Sequence, residues 1–400
     1  MNFKKMVAAL TAAALLAIPM AGCGTNNGGS SAAGSGAAGS AKPAEVKKEV
    51  TLWATGSDNV RQIFETLTAD FNKNSEYAGK YEVKLQFMLS GTGTQTLTDM
   101  LVASSKAGQT NTDYDIVDLS GDDLSKVYDL LGEPAFTKLD NSKIPNNATV
   151  SAKAADAPEY AQPYRGTTVV LAYNSEKVPN PPKTTDELVE WIKANPGRFA
   201  YNVPGTGGAG DSFARTAVYN QIDDPTALTS SDEKWVGQWD KGFAFLKELH
   251  PYLYQSGGSV VYPNKNQGSL DLLAQGEIDM CPNWADMVLS QRAAGTIPAS
   301  IKIATIEPSF TGSVQSLIIP TFGSNPEGAY AFMNYMLSEQ AQSIMVKQMA
   351  AIPLIDIKNM DMTGYEDLKG LDVSNFRIMS IGDLKTQFNE RWDNEIATLK

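Results

Sequence analysis

From Val46 onward the chain alternates short apolar runs with amphipathic ones, and this alternation limits the possible folds more than any other feature. Glu49–Ala54, Tyr81–Met88 and Tyr114–Leu119 are short, rich in β-branched and aromatic residues, and bounded by turn formers, which predicts strands. Asn59–Phe71 carries Ile63, Leu67 and Phe71 at helical spacing, and Thr94–Ala107 and Asp122–Leu131 read as further helices. Strand–helix–strand repeats predict an α/β fold with a mainly parallel sheet covered by helices. Ligands bind such sheets where the strands end. The segments after the three strands, Thr55–Asn59, Ser90–Thr94 and Ser120–Asp123, each pair Gly with hydroxyl or carboxylate residues at a helix start. Ser57, Asp58, Ser90, Thr92, Ser120 and Asp122 are therefore candidate ligand contacts. Each would also serve as an ordinary turn or cap; what favours a site is that three such loops share one rim.

Tyr160–Asn174 reads as two extended segments joined through Arg165–Gly166, and marks a crossover to a second α/β lobe. Thr184-x-x-Glu187 is a capping box for a helix that runs to Ala194. Phe199–Val203 is predicted as a strand, Gly205–Gly210 as a loop, Asp211–Asn220 as a helix, and Ser230–Leu249 as one long helix. A helix at Gln267–Gln275, a strand at Glu277–Cys281, a helix at Trp284–Ala294 and strands at Ile301–Ile306 and Val314–Ile319 follow. A helical pair, Pro326–Leu337 and Glu339–Met349, comes next. The expected layout is a first lobe over 46–165, a mainly second lobe over 166–310, and a return with C-terminal helices over 311–400.

Ahead of this lies an export pattern. Lys4 and Lys5 precede an apolar run from Met6 to Met20, and the small residues Ala21–Gly22 stand directly before Cys23. Residues 1–22 are expected to be a lipoprotein signal peptide and Cys23 the acylated residue. The Gly/Ser/Ala-rich stretch to residue 45 is expected to be a flexible tether.

The 45 acidic residues against 33 basic ones, a net charge of −12, exclude a nucleic-acid partner. One His and two Cys are too few for a His/Cys zinc site, and no metal or cofactor is implied. Catalysis finds little support. There is no Gly-x-Ser-x-Gly elbow, and His250 stands at a helix end before Pro251, where it would act as a dipole partner. Ser231-x-x-Lys234 lacks its companion motifs. A carboxylate-pair hydrolase is the alternative that pattern alone leaves open.

Binding chemistry is better represented. Asn283-Trp284-Ala285-Asp286 puts an amide, a ring and a carboxylate in one short segment, and rings with carboxylates are what a desolvated organic cation requires, so the solute expected is a small cationic or zwitterionic organic molecule, thiamine-like or polyamine-like. Trp53 at a strand end, and Asp58, Asp122 and Asp211 at the rim, add to this set, whereas Trp239 reads as core. Ferric iron is a second possibility, with Tyr160, Tyr164, Tyr173, Tyr252 and Tyr254 as oxygen donors. An anion at Gly205–Gly210 is a third.

Several patches resemble a known family. Gly166–Asn174 with Val178–Pro179 and Pro182–Leu188, and Asn325–Gln342 ending in Ala351-Ile-Pro353, are similar to extracellular solute-binding proteins of bacterial ABC importers. Pro182–Glu190, Asn195–Phe199 and Arg391–Trp392 resemble a branch beside the thiamine, iron and polyamine binders. The resemblance implies a two-lobed, periplasmic-binding-protein-like type II fold with a cleft between the lobes. It also implies a monomer on the extracellular face of the cell membrane, a small-molecule solute, and ABC permease and ATPase partners.

Overall fold

The computed structural model describes residues 47–90, 95–119, 121–150, 158–356 and 360–399. The expectations for the signal peptide, Cys23, the tether, Thr92 and Ser120 lie outside the described residues, as does the side chain of Asp122. The first part is built as β1 (Lys48–Gly56), α1 (Asp58–Asn74), β2 (Tyr81–Leu89), α2 (Leu97–Lys106), β3 (Ile116–Leu119) and α3 (Gly121–Leu131). β1 pairs in parallel with β2 and with β3. Side chains alternate across the sheet. Val50, Leu52 and Ala54 face a core with Ile63, Phe64 and Leu67 of α1, while Val117 and Leu119 face another with Leu97 and Leu101 of α2.

β4 (Ala161–Asn174) is one continuous strand rather than the two segments expected, with an irregularity between Pro163 and Arg165. Its first half pairs with β9 (Gly312–Ile318), which also pairs antiparallel with β3. Its second half pairs with β7 (Met280–Trp284) on one side and β8 (Ile301–Ala304) on the other. The strand order is β2-β1-β3-β9-β4-β7, so β4 carries the sheet from the first lobe into the second, and β9 returns to the first.

The second lobe adds α4 (Thr185–Ala194), α5 (Ala209–Tyr219), α6 (Asp240–Leu249), the small hairpin β5 (Gln255–Ser256) and β6 (Ser259–Val260), α7 (Lys265–Gln275) and α8 (Ala285–Ala293). Two expectations fail here. Phe199–Val203 forms no strand: Phe199 makes one isolated parallel bridge to Met280 of β7, and beyond it the backbone bonds go to loops, Phe199 O accepting from Tyr254 N and Val203 N donating to Pro263 O. The long helix is broken into a 3-10 turn, Glu233–Gln238, followed by α6. Gly237, a poor helix former, lies in that turn, and both Trp235 and Trp239 are buried.

α9 (Pro326–Met336) and α10 (Glu339–Met349) cover the first lobe, packing on the α1 side of the sheet. The chain then passes back along the crossover strands, where Gly312 N donates to Arg377 O. A Cβ on Gly166 would stand 2.6 Å from Val373 Cγ1, and one on Gly312 would stand 2.7 Å from the Phe376 ring, so both glycines are required by the close approach of this segment. α11 (Leu384–Glu395) ends in the core of the second lobe, with Phe388 against Trp239 and Trp392 Nε1 donating to Tyr201 Oη at 3.1 Å.

Candidate functional site

The ends of the three strands that the rim loops follow lie level with one another. Thr55 is level with Met88, the pairing of Trp53 with Val117 brings Leu119 to the same height, and Ser90 N donates to Gly56 O at 2.9 Å. Ser57 Oγ donates to Asn59 Oδ1 at 2.5 Å at the start of α1. Asp58 is exposed and paired with Arg61 at 2.8 Å; hydrogen bonds from that guanidinium hold its carboxyl below the usual range. Trp53 sits below the rim, its ring 5.2 Å from Tyr114, among the core residues beside α2.

On the second lobe, side-chain amides build the start of α5. Gly210 N donates to Asn202 Oδ1 at 2.8 Å and Ala209 N to Asn266 Oδ1 at 3.1 Å. Asn266 Nδ2 and Trp284 Nε1 both donate to Gly207 O, the latter at 3.0 Å. Asn283 is fully buried, donating to Asn266 O and accepting from Trp284 N. Gly208 has φ +91, and a Cβ there would stand 3.0 Å from the Trp284 ring. The indole is thus laid on the glycine loop and half-buried. Asp211 is buried, accepts from Gly205 N at 2.6 Å, and is ion-paired with Arg215 at 2.5 Å, so its charge is matched inside the lobe.

Between the two lobes lies a cluster that the sequence reading had only in part. Tyr164 Oη donates to Asp118 Oδ1 at 3.0 Å, the Arg165 guanidinium stands over the Tyr164 ring at 5.7 Å, and Arg165 Nη1 is 3.7 Å from Asp286 Oδ2. All four residues are nearly inaccessible, from 1% exposed for Tyr164 to 6% for Asp286. Asp286 also accepts from the N–H of Met287 in the first turn of α8. Burial pushes the Asp118 carboxyl up to about 6 against the opposing pull of Arg165 and Tyr164. Burial raises Asp286 too, again opposed by Arg165. Asp118 and Arg165 were missed as site residues; a lone carboxylate late in an apolar strand and a cation inside the crossover strand were the available signals.

Other candidates do not join this cluster. Tyr160 packs near Tyr128 and Phe136, and Tyr164 spends its hydroxyl on Asp118, so these two do not present a shared oxygen set. Among the described residues, no group of three His, Cys, Asp or Glu side chains is placed to hold a metal ion. His250 is buried, its Nδ1 2.8 Å from Tyr262 Oη, and burial lowers its pKa, which favours the neutral ring over the cationic dipole partner expected. Two surface hollows, one lined by Thr185, Glu190 and Phe245 and the other by Pro181, Ile303 and Asp367, include none of these residues.

A sheet shared between two lobes by long crossover strands, together with the likeness to solved binding proteins, defines the two-lobed, periplasmic-binding-protein-like fold. The chain belongs to the bacterial extracellular solute-binding protein family, whose model matches residues 66–356. Protein YnjB of Escherichia coli (strain K12) is 27% identical over 188 residues, 45% of this chain and 46% of that protein; the chain thus spans about half the length of this curated relative. A periplasmic thiamin binding protein is similar in structure with a TM-score of 0.63 and 16% identity, over 88% of this chain and 96% of that one. An ABC transporter protein from Clostridium perfringens ATCC 13124 gives 0.62 and 18%, over 86% and 98%.

Proposed function

We propose that the protein is the substrate-binding component of an ABC import system. Anchored by a lipid on Cys23 at the extracellular face, it captures a small organic cation between its lobes and delivers it to a membrane permease driven by ATPase subunits. The observation that carries the cation reading is the charge of the interlobe cluster: two buried carboxylates, Asp118 and Asp286, share one guanidinium, Arg165. Burying an uncompensated charge is costly, so a positive solute beside the Trp284–Asp286 segment would relieve the excess. The anion reading of the glycine loop loses support because Asn202 and Asn266 already occupy the first free N–H groups of α5. Likeness to a thiamin binding protein is in keeping with a cationic solute.

The test is a thermal-shift screen of the purified protein with thiamine, putrescine and spermidine against sugars, phosphate and sulfate. A binder of the folded state raises apparent stability in proportion to RT ln(1 + [L]/Kd). At least one of the cations is expected to give a shift, and Asp286→Asn to lose it. Shifts from sugars or oxyanions alone reject the cation reading. For the anchor, Cys23→Ala is expected to release the protein from the membrane or block its processing; unchanged membrane association with unchanged acyl content overturns it.

A further inference from the structure

The interlobe cluster also bears on what else the solute must carry, an inference that rests on the cation reading above. We propose that the solute is a monovalent organic cation with a hydroxyl or carbonyl oxygen close to its charge, and that Arg165 is the residue that selects for that oxygen.

The charges of the cluster do not cancel by count. Arg165 is acted on by Asp286 and Asp118, and it is the cation that acts on each of them; among the described residues no other charged side chain enters the set. Arg165 stands 3.7 Å from Asp286, and Asp118 is tied to the adjoining Tyr164 hydroxyl at 3.0 Å, so with both carboxylates ionised the cluster holds one uncompensated negative charge in a nearly dry position. A monocation neutralises it. A diamine would overshoot by one charge, and a zwitterion would leave the excess where it was, so both are disfavoured by the cost of buried net charge.

The hydrogen-bond donors of the cluster do not balance by count either. A buried polar group without a partner is expensive, and native structures contain few of them. Arg165 Nη1 is such a group: it is buried, it makes no hydrogen bond, and its 3.7 Å separation from Asp286 Oδ2 is too long for one. An oxygen on the solute would satisfy it. Because the guanidinium and the carboxylates are fixed within one cluster, the oxygen and the positive charge must lie within a few bonds of each other, as in an amino alcohol or an α-amino carbonyl compound.

Titration calorimetry tests both counts with matched probes: choline against tetramethylammonium and 3,3-dimethylbutan-1-ol, ethanolamine against ethylammonium, and putrescine. Choline and ethanolamine are expected to bind about tenfold or more tightly than their hydroxyl-free partners, since a hydrogen bond to a charged donor supplies that much. The neutral alcohol and the diamine are expected to be weak. Arg165→Lys keeps the charge but not the planar fork of donors, and is expected to bring the two members of each pair within about twofold. Where that variant fails to fold, Asp286→Asn serves instead: it takes the cluster to zero net charge, and its preference is expected to move from choline to 3,3-dimethylbutan-1-ol. Equal binding of hydroxylated and hydroxyl-free cations, or a preference for putrescine, overturns this proposal while leaving the cation reading in place, whereas an Asp286→Asn variant that still prefers choline overturns both. Binding of sugars or anions alone, or of no cation in the set, overturns both.

Discussion

Asp118→Asn should make the protein more stable at neutral pH. The substitution keeps the shape of the side chain, and the new amide oxygen still accepts from Tyr164 Oη, which stands 3.0 Å from the present carboxylate. What it removes is the cost of ionising a carboxyl whose pKa burial lifts from 3.8 to about 6. That gap corresponds to about 3 kcal/mol at a pH above both values, with one pKa unit worth about 1.4 kcal/mol. The sign follows from proton binding: between 3.8 and about 6 the folded state holds the proton more tightly than the unfolded chain, so this group stabilises the fold at low pH. The contribution is lost as pH rises through that window. The variant should therefore match the wild type near pH 3.5 and exceed it by up to about 3 kcal/mol at pH 7.5, or roughly 5 °C in melting temperature for a chain of this size. Urea unfolding of both proteins from pH 3.5 to 7.5 isolates the difference, because carboxylates outside this cluster titrate alike in the two. A variant less stable than wild type at pH 7.5, or a difference that does not change with pH, refutes the reasoning. The same substitution should weaken binding of a cationic solute, and wild-type affinity should fall as pH drops through about 6, because the cluster then loses its excess charge.

Further outcomes follow from other parts of the structure. Trp284→Ala should lower stability by about 2 kcal/mol, less than for a fully buried indole, because the ring is half-buried on Gly208; urea unfolding measures it, and a loss above about 4 kcal/mol would mark a purely structural residue. Gly210→Ala should be far more damaging, since its Cβ would fall 1.7 Å from Asn202 O; a variant with a wild-type melting curve would show that the α5 start is built differently. Lys126–Asp383 at 3.2 Å and Asp123–Lys385 at 4.0 Å link α3 to the start of α11. Lys126→Glu should thus lengthen the distance between spin labels on Lys106 and Lys241, with Asp383→Lys restoring it and salt mimicking the loss; an unchanged distance would show that these pairs do not hold the lobes together.

The parts of this molecule that were legible in its sequence are those set by local chemistry. The helix at Thr185–Ala194 could be read because Thr184 and Glu187 cap it within four residues, and Asn325 and Ser338 likewise start α9 and α10 through their own side chains. Trp239 could be assigned to the core by spacing alone, and it is fully buried. What failed was whatever depended on a distant partner. Phe199–Val203 has strand-like composition, but its pairing with β7 stops at one bridge, Phe199 to Met280, and its other bonds go to Tyr254 and Pro263 in loops more than fifty residues away. The insertion of β9 between β3 and β4 joins segments nearly two hundred positions apart, and no period in the sequence encodes it.

The site shows the same division, and shows why it arises. Asp58 and Asp211 were legible as carboxylates at helix starts, yet their arginine partners, Arg61 and Arg215, stand three and four residues away on the same helices. Helical spacing could have shown that these charges were already matched. Asp286 was legible too, but its partner is Arg165, which lies 121 positions earlier in a strand that only the crossover brings beside α8. A carboxylate whose counter-charge is local holds its own element together, whereas one whose counter-charge comes from another element reports on how the two elements meet. In a two-lobed protein the second kind is where a solute can act, because separating the elements exposes both charges and closing them buries both. Asp118 and Asp286 are of this kind, one at the end of a first-lobe strand and the other at the start of a second-lobe helix, with Arg165 between them on the strand that joins the lobes.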